Sequence, residues 1–107
     1  MENDQKVVIF ITAGTDAEAN RLAEALLKQR KAACVNIVPG VSSRFWWQGH
    51  LDSDKESLLI VKTKASLLDE IVGMVKEVHS YDVPEVIALP IIGGNPDYLD
   101  WLGKELQ

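Results

Sequence analysis

Along the chain, short β-branched apolar runs alternate with segments whose apolar residues recur at helical spacing. Val7 to Thr12 is continuous and apolar, as expected of a strand covered on both faces. Thr15-Asp16-Ala17-Glu18 follows. In a reciprocal capping box Thr15 accepts from the Glu18 N–H, and the Glu18 carboxylate reaches back. Ala19, Leu22, Ala23, Leu26 and Leu27 then define one helix face, and Lys28, Arg30 and Lys31 crowd its last turn, where cations suit the negative end of the dipole. Residues 33–63 read as a long antiparallel hairpin. Its first arm is Ala33 to Val38, bulged at Pro39-Gly40 and continued by Ser42 to Gln48. A polar turn region spans Gly49 to Asp54, and Glu56 to Thr63 returns.

Ser66-Leu67-Leu68-Asp69 repeats the capping-box spacing ahead of a helix with Leu68, Ile71, Val72, Val75 and Val78 on one face. Pro84 lies ahead, so this helix ends near His79-Ser80. Val86 to Ile92 is a strand, with Pro90 marking an edge. Asn95 caps a last helix with Pro96 at its first position, and Leu99 and Leu102, with Trp101 or Leu106, form its apolar side.

The order β-α-β-β-α-β plus a helix is the α+β, ferredoxin-like split βαβ sandwich: a four-stranded antiparallel sheet with helices on one face. It accounts for residues 1–107 as a single domain, with residues 1–6 frayed. Val7, Ile9 and Ile11 cannot share a face with Val8 and Phe10, so the second sheet face needs a cover. In a 107-residue chain another subunit is the economical one.

Composition narrows the function. Sixteen acidic against 11 basic residues leave −5 at pH 7, the wrong sign for gripping nucleic-acid phosphates. One cysteine excludes an internal disulfide and multi-cysteine metal sites. Cys34, between Ala33 and Val35, reads as a structural, inert thiol. No apolar run reaches the ~20 residues of a spanning helix, and the N-terminus lacks a signal peptide's basic and apolar regions. Both favour a cytoplasmic protein with no membrane partner. Phe45-Trp46-Trp47 puts large rings on both faces of one strand, which suits a core or a subunit interface. His79-Ser80-Tyr81-Asp82-Val83-Pro84-Glu85 gathers an imidazole, a phenol and two carboxylates, groups able to ligate a metal or bind a small ligand. A helix cap followed by a stiffened turn is the alternative for the same stretch.

The chain resembles the CutA family of divalent-cation tolerance proteins. The resemblance rests on Ala32-Ala33-Cys34-Val35-Asn36, Trp47-Gln48-Gly49, Leu58 to Thr63, His79-Ser80-Tyr81 with Pro84-Glu85, and Tyr98-Leu99-Asp100-Trp101, in this order and spacing. It implies a tight homotrimer, similar in architecture to PII signalling proteins, with inter-subunit clefts. Lys62, His79, Tyr81, Glu85 and Trp47 are the expected cleft residues. It implies a role in metal-ion tolerance, copper especially, with no catalytic residues. A hydrolase or transferase using His79, Tyr81 and Glu85, or a non-catalytic PII-like scaffold, is the alternative. Some copper-binding members carry a Cys late in the first strand and paired His at the end of the second helix. Ile11 and Val78-His79 stand there here. His79 alone remains, so the implied metal site is weak, with a copper(II) dissociation constant of roughly micromolar or weaker. The family's usual Glu is Asp82 here, its Lys after Trp-x-Gly is His50, and a common Tyr is Phe45.

Overall fold

The computed structural model describes residues 4–107. The strands are β1 (Lys6–Ala13), β2 (Cys34–Trp47), β3 (His50–Lys64) and β4 (Val86–Pro90). The helices are α1 (Asp16–Lys28), α2 (Leu68–Val78) and α3 (Pro96–Glu105). The sheet is antiparallel in the order β2-β3-β1-β4, as the split βαβ reading requires. The fraying expected over residues 1–6 fails at Lys6, which pairs with Lys64. Gln5 reaches across to the Ile91 carbonyl at 2.9 Å. Residues 1–3 lie outside the described part.

The pleat of β1 sorts its residues cleanly. Val7, Ile9, Ile11 and Ala13 are buried under the helices, while the residues between them are only half-buried. Leu59 and Val61 of β3 join them, and α1 and α2 close the core with Ala19, Leu22, Leu26, Ile71 and Val75. Two residues assigned to helix faces miss the core: Leu27 is 42% and Val78 41% exposed. Each lies at the last turn of its helix, where the axis has carried the apolar stripe past the sheet. Leu102 of α3 is fully buried.

The opposite sheet face carries Val8 and Phe10 of β1, Leu58 and Ile60 of β3, and Ile87 and Leu89 of β4. Their register brings them side by side. Of the helices, α3 comes against the Lys6 end of this face, where a Cβ on Gly103 would stand 3.2 Å from the Lys6 side chain, and Ile87 is 52% and Leu89 43% exposed.

The hairpin is longer and its turn tighter than the polarity of residues 49–54 suggests. The register slips between Val38 and Val41, which places the bulge at Pro39-Gly40. Pairing then continues without a break to Trp47↔His50. Only Gln48 and Gly49 turn, both at positive φ (49° and 81°), as a two-residue type I′ connection demands. Of the stretch assigned to a polar turn, His50 to Asp54 is therefore strand and Gly49 alone stays in the turn. Strand β4 is shorter than expected, ending at Pro90, although the Ile91 N–H still donates to the Lys6 carbonyl at 3.0 Å.

The two capping-box sequences diverge. Thr15 Oγ1 accepts from Glu18 N at 3.1 Å, but Glu18 turns inward and is buried. Ser66 sits within a 3-10 turn, Ala65–Leu67, and α2 starts without a side-chain cap. Asn95 caps α3 as predicted, accepting from Asp97 N at 3.0 Å.

Candidate functional site

Beyond the bulge, even-numbered β3 residues and odd-numbered β2 residues share a face. Asp52 pairs with Phe45, Asp54 with Ser43 and Glu56 with Val41. A row of carboxylates thus runs beside a row of rings, Phe45 and Trp47. The segment after α2 crosses in front of this face. Pro84 stiffens it, and Tyr81, Asp82, Val83 and Glu85 close a cleft of about 600 Å³ against the hairpin. That volume is in the range of small-molecule sites, roughly 300–1,000 Å³. Five carboxylates line the cleft, with Arg44 as the one cationic side chain.

Tyr81 is the clasp. Its hydroxyl donates to Glu56 Oε2 at 2.9 Å, joining the segment to β3. Burial, this hydrogen bond and nearby carboxylates push the phenol up to about 12. Gly14 leaves the ring room, since a Cβ there would stand 3.2 Å from the Tyr81 hydroxyl. Burial, and then the Glu56 carboxylate, hold Glu85 above the usual carboxylate range.

His79 anchors the start of the segment from inside. Its side chain is fully buried. The Tyr81 N–H donates to Nδ1 at 3.0 Å. The ring proton is thereby assigned to Nε2, which donates to the Thr12 carbonyl at 2.6 Å. Glu18 Oε1 lies 3.2 Å from the same Nδ1 and has no hydrogen-bond partner. One nitrogen faces two groups and, in this tautomer, serves only the Tyr81 amide. Neither imidazole nitrogen is left for a metal, and ligation would cost one of these bonds. Among the described residues no three His, Cys, Asp or Glu side chains converge as a metal-binding group.

Of the residues expected at the cleft, the structure brings together Trp47, Tyr81 and Glu85. His79 stands behind the lining. Lys62 lies apart, on the open sheet face, where its Nζ donates to Asn36 Oδ1 at 2.6 Å and approaches Cys34 Sγ at 3.9 Å. Cys34 is only half-buried in the single chain, because it pairs with Lys62 on the face turned away from the α1–α2 core. The apolar enclosure inferred from Ala33 and Val35 is therefore absent from this subunit. The rings of the hairpin are also uncovered: Trp46 is 73%, Trp47 48% and Phe45 37% exposed. Asp52, Asp54, Glu56 and Arg44 were missed as site residues. The signal for the acidic row was present as Asp-x-Asp-x-Glu, the period of one strand face.

A family model described as CutA1 divalent ion tolerance protein matches residues 7–105. The divalent-cation tolerance protein CutA of Thermus thermophilus is 48% identical over 95 residues, 89% of this chain and 92% of that protein. A chloroplastic CutA 1 protein of Oryza sativa is 52% identical over 96 residues, 90% of this chain. The chain spans about half of this relative and of an Arabidopsis thaliana one, 54% and 53% of their lengths. The solved Thermus thermophilus structure superposes with a TM-score of 0.93 at 45% identity, covering 95% of this chain and 99% of that one. The Oryza sativa CutA1 structure gives 0.94 at 48% identity, covering 98% and 96%. With this match along nearly its whole length in sequence and fold, the chain belongs to the CutA1 divalent ion tolerance protein family.

Proposed function

We infer that the protein serves in the response to divalent metal ions as a cytoplasmic homotrimer, without catalysis, and that it holds a cationic ligand in the cleft between hairpin and post-α2 segment. The observation that carries the ligand's sign is the lining of five carboxylates against one arginine. Such a cleft focuses a negative potential and concentrates cations. It disfavours the phosphate-bearing ligands that a nucleotide-type site takes. The engaged nitrogens of His79 leave Tyr81 and Glu85 without an imidazole for acid–base work, which supports the non-catalytic reading. The open apolar sheet face and the exposed rings support association. So does the elongated shape, 44 × 27 × 25 Å, with a radius of gyration of 14.3 Å against about 13 Å for a compact domain of this length.

Sedimentation equilibrium at micromolar protein is expected to give three times the chain mass, and a stable monomer there overturns the trimer. Calorimetric titration with copper(II) is expected to give a dissociation constant of roughly micromolar or weaker, because no three-donor group converges among the described residues. Nanomolar copper, or binding untouched in Glu56→Gln, places the site elsewhere. Loss of binding in His79→Ala, with the fold intact by circular dichroism, returns the donor role to the imidazole.

A further inference from the structure

The cleft's shape says more about its ligand than its charge does. A bare metal ion needs several donors within about 2–2.6 Å of one point. Here the carboxylates are drawn out along a strand. Asp52, Asp54 and Glu56 alternate on one face of β3, so neighbours stand about 7 Å apart and the row extends about 13 Å. None of them has a lysine or arginine within ion-pair distance among the described residues. One oxygen of each is already occupied: Asp52 by Ser53 N, Asp54 by Lys55 N, and Glu56 by the Tyr81 hydroxyl. The other oxygen of each has no protein partner among the described residues. Glu56 is more than nine-tenths buried, lines the cleft and has a hydroxyl rather than a cation beside it. A buried carboxylate of this kind is stabilised by a matching cation.

Alongside this row run Phe45 and Trp47, and Tyr81 closes the end. Rings attract ammonium groups through their faces and shield hydrocarbon from water. A row of separated anionic oxygens beside an aromatic wall, in about 600 Å³, matches a flexible chain of alternating ammonium groups and short methylene spacers. A three- or four-carbon spacer spans a distance comparable to the carboxylate repeat.

We propose that the cleft binds a linear aliphatic polyamine, its ammonium groups on Asp52, Asp54 and Glu56 and its methylenes against Phe45 and Trp47. This rests on the reading of the cleft as a cation site and names its ligand class. Glu85, whose carboxyl takes up its proton above the usual carboxylate range, adds a pH dependence: amine affinity falls as the pH drops through that raised value.

The test is calorimetric titration of the full chain with spermidine, with sedimentation of the same samples. Saturable binding at one site per chain is expected, weakening at least tenfold in Asp52→Asn/Asp54→Asn. Both positions are exposed, so the fold survives the change. Glu77→Gln/Asp100→Asn removes the same charge outside the cleft and is expected to stay within twofold of wild type. Trp47→Ala is expected to weaken spermidine severalfold and magnesium not at all. Equal loss in the two double variants, or magnesium binding as tightly as spermidine, shows attraction to net charge alone and overturns the proposal. Copper(II) bound and lost in Glu56→Gln, with no spermidine binding, overturns the amine and leaves the cation cleft standing. No cation bound at all overturns both.

Discussion

The two halves of the β2–β3 hairpin, divided by the bulge at Pro39-Gly40, are built on opposite terms. Between the bulge and the open ends, Leu59 and Val61 are fully enclosed and Val35 and Ile37 pack against the same core. Between the bulge and the turn, Trp46 and Leu51 are 73% and 67% exposed. The hydrogen-bond ladder runs through each half and is interrupted at the bulge. What differs is the source of register. In the inner half a one-residue slip would drive the core residues into solvent. In the outer half the turn sets the register, together with the Tyr81–Glu56 bond near the bulge. The outer half is thus free to present chemistry that the inner half must exclude.

The strongest test of this division is Leu59→Ala. At a fully buried site, the loss of stability in urea is expected to be about 2–5 kcal/mol. A loss below 1 kcal/mol would mean that the inner half does not depend on its core. Next is Gly49→Ala. Its φ of 81° suits only glycine without strain, and the cost is expected to be about 1–2 kcal/mol. No loss of stability would show that the turn does not hold the outer register.

Tyr81→Phe removes the clasp and is expected to cost about 0.5–1.5 kcal/mol. The same group gives a pH signature. Its folded value is raised to about 12 from the ordinary 10.0. The neutral phenol's stabilising contribution is therefore complete below pH 10 and is lost as pH rises from 10 towards 12, where the unfolded chain ionises first. Difference absorbance between wild type and Tyr81→Phe reads this titration directly, and ionisation near 10 would detach Tyr81 from Glu56. The smallest effect is expected at Trp46→Ala, within about 0.5 kcal/mol in the isolated subunit. A larger loss, growing with protein concentration, would show that association covers the outer half.

Legibility followed the range of the interactions. Strand β1, the face of α1 and the Asn95-Pro96 start of α3 were readable because each rests on neighbours within a turn or a pleat. The bulge was readable from Pro39-Gly40. The outer strand was not, because Asp52 and Asp54 match the composition of a loop. Their alternation is a strand signal only once the Gln48-Gly49 turn fixes the pairing. The capping boxes show the same limit. Thr15 and Ser66 head identical spacings, yet only Thr15 caps. Ser66 is taken into a 3-10 turn, and Glu18 leaves its reciprocal role for a place beside His79.

The element order, the helix-covered core and the family were determined by the sequence alone, since periodicity and short-range sterics are encoded residue by residue. The cleft was decided by tertiary structure. Its parts meet through the Tyr81–Glu56 and His79–Thr12 bonds, made 25 and 67 residues apart in the chain. At that separation local propensity is silent, and whether an imidazole becomes a ligand or a buried anchor depends on which carbonyl and which amide the fold delivers to it.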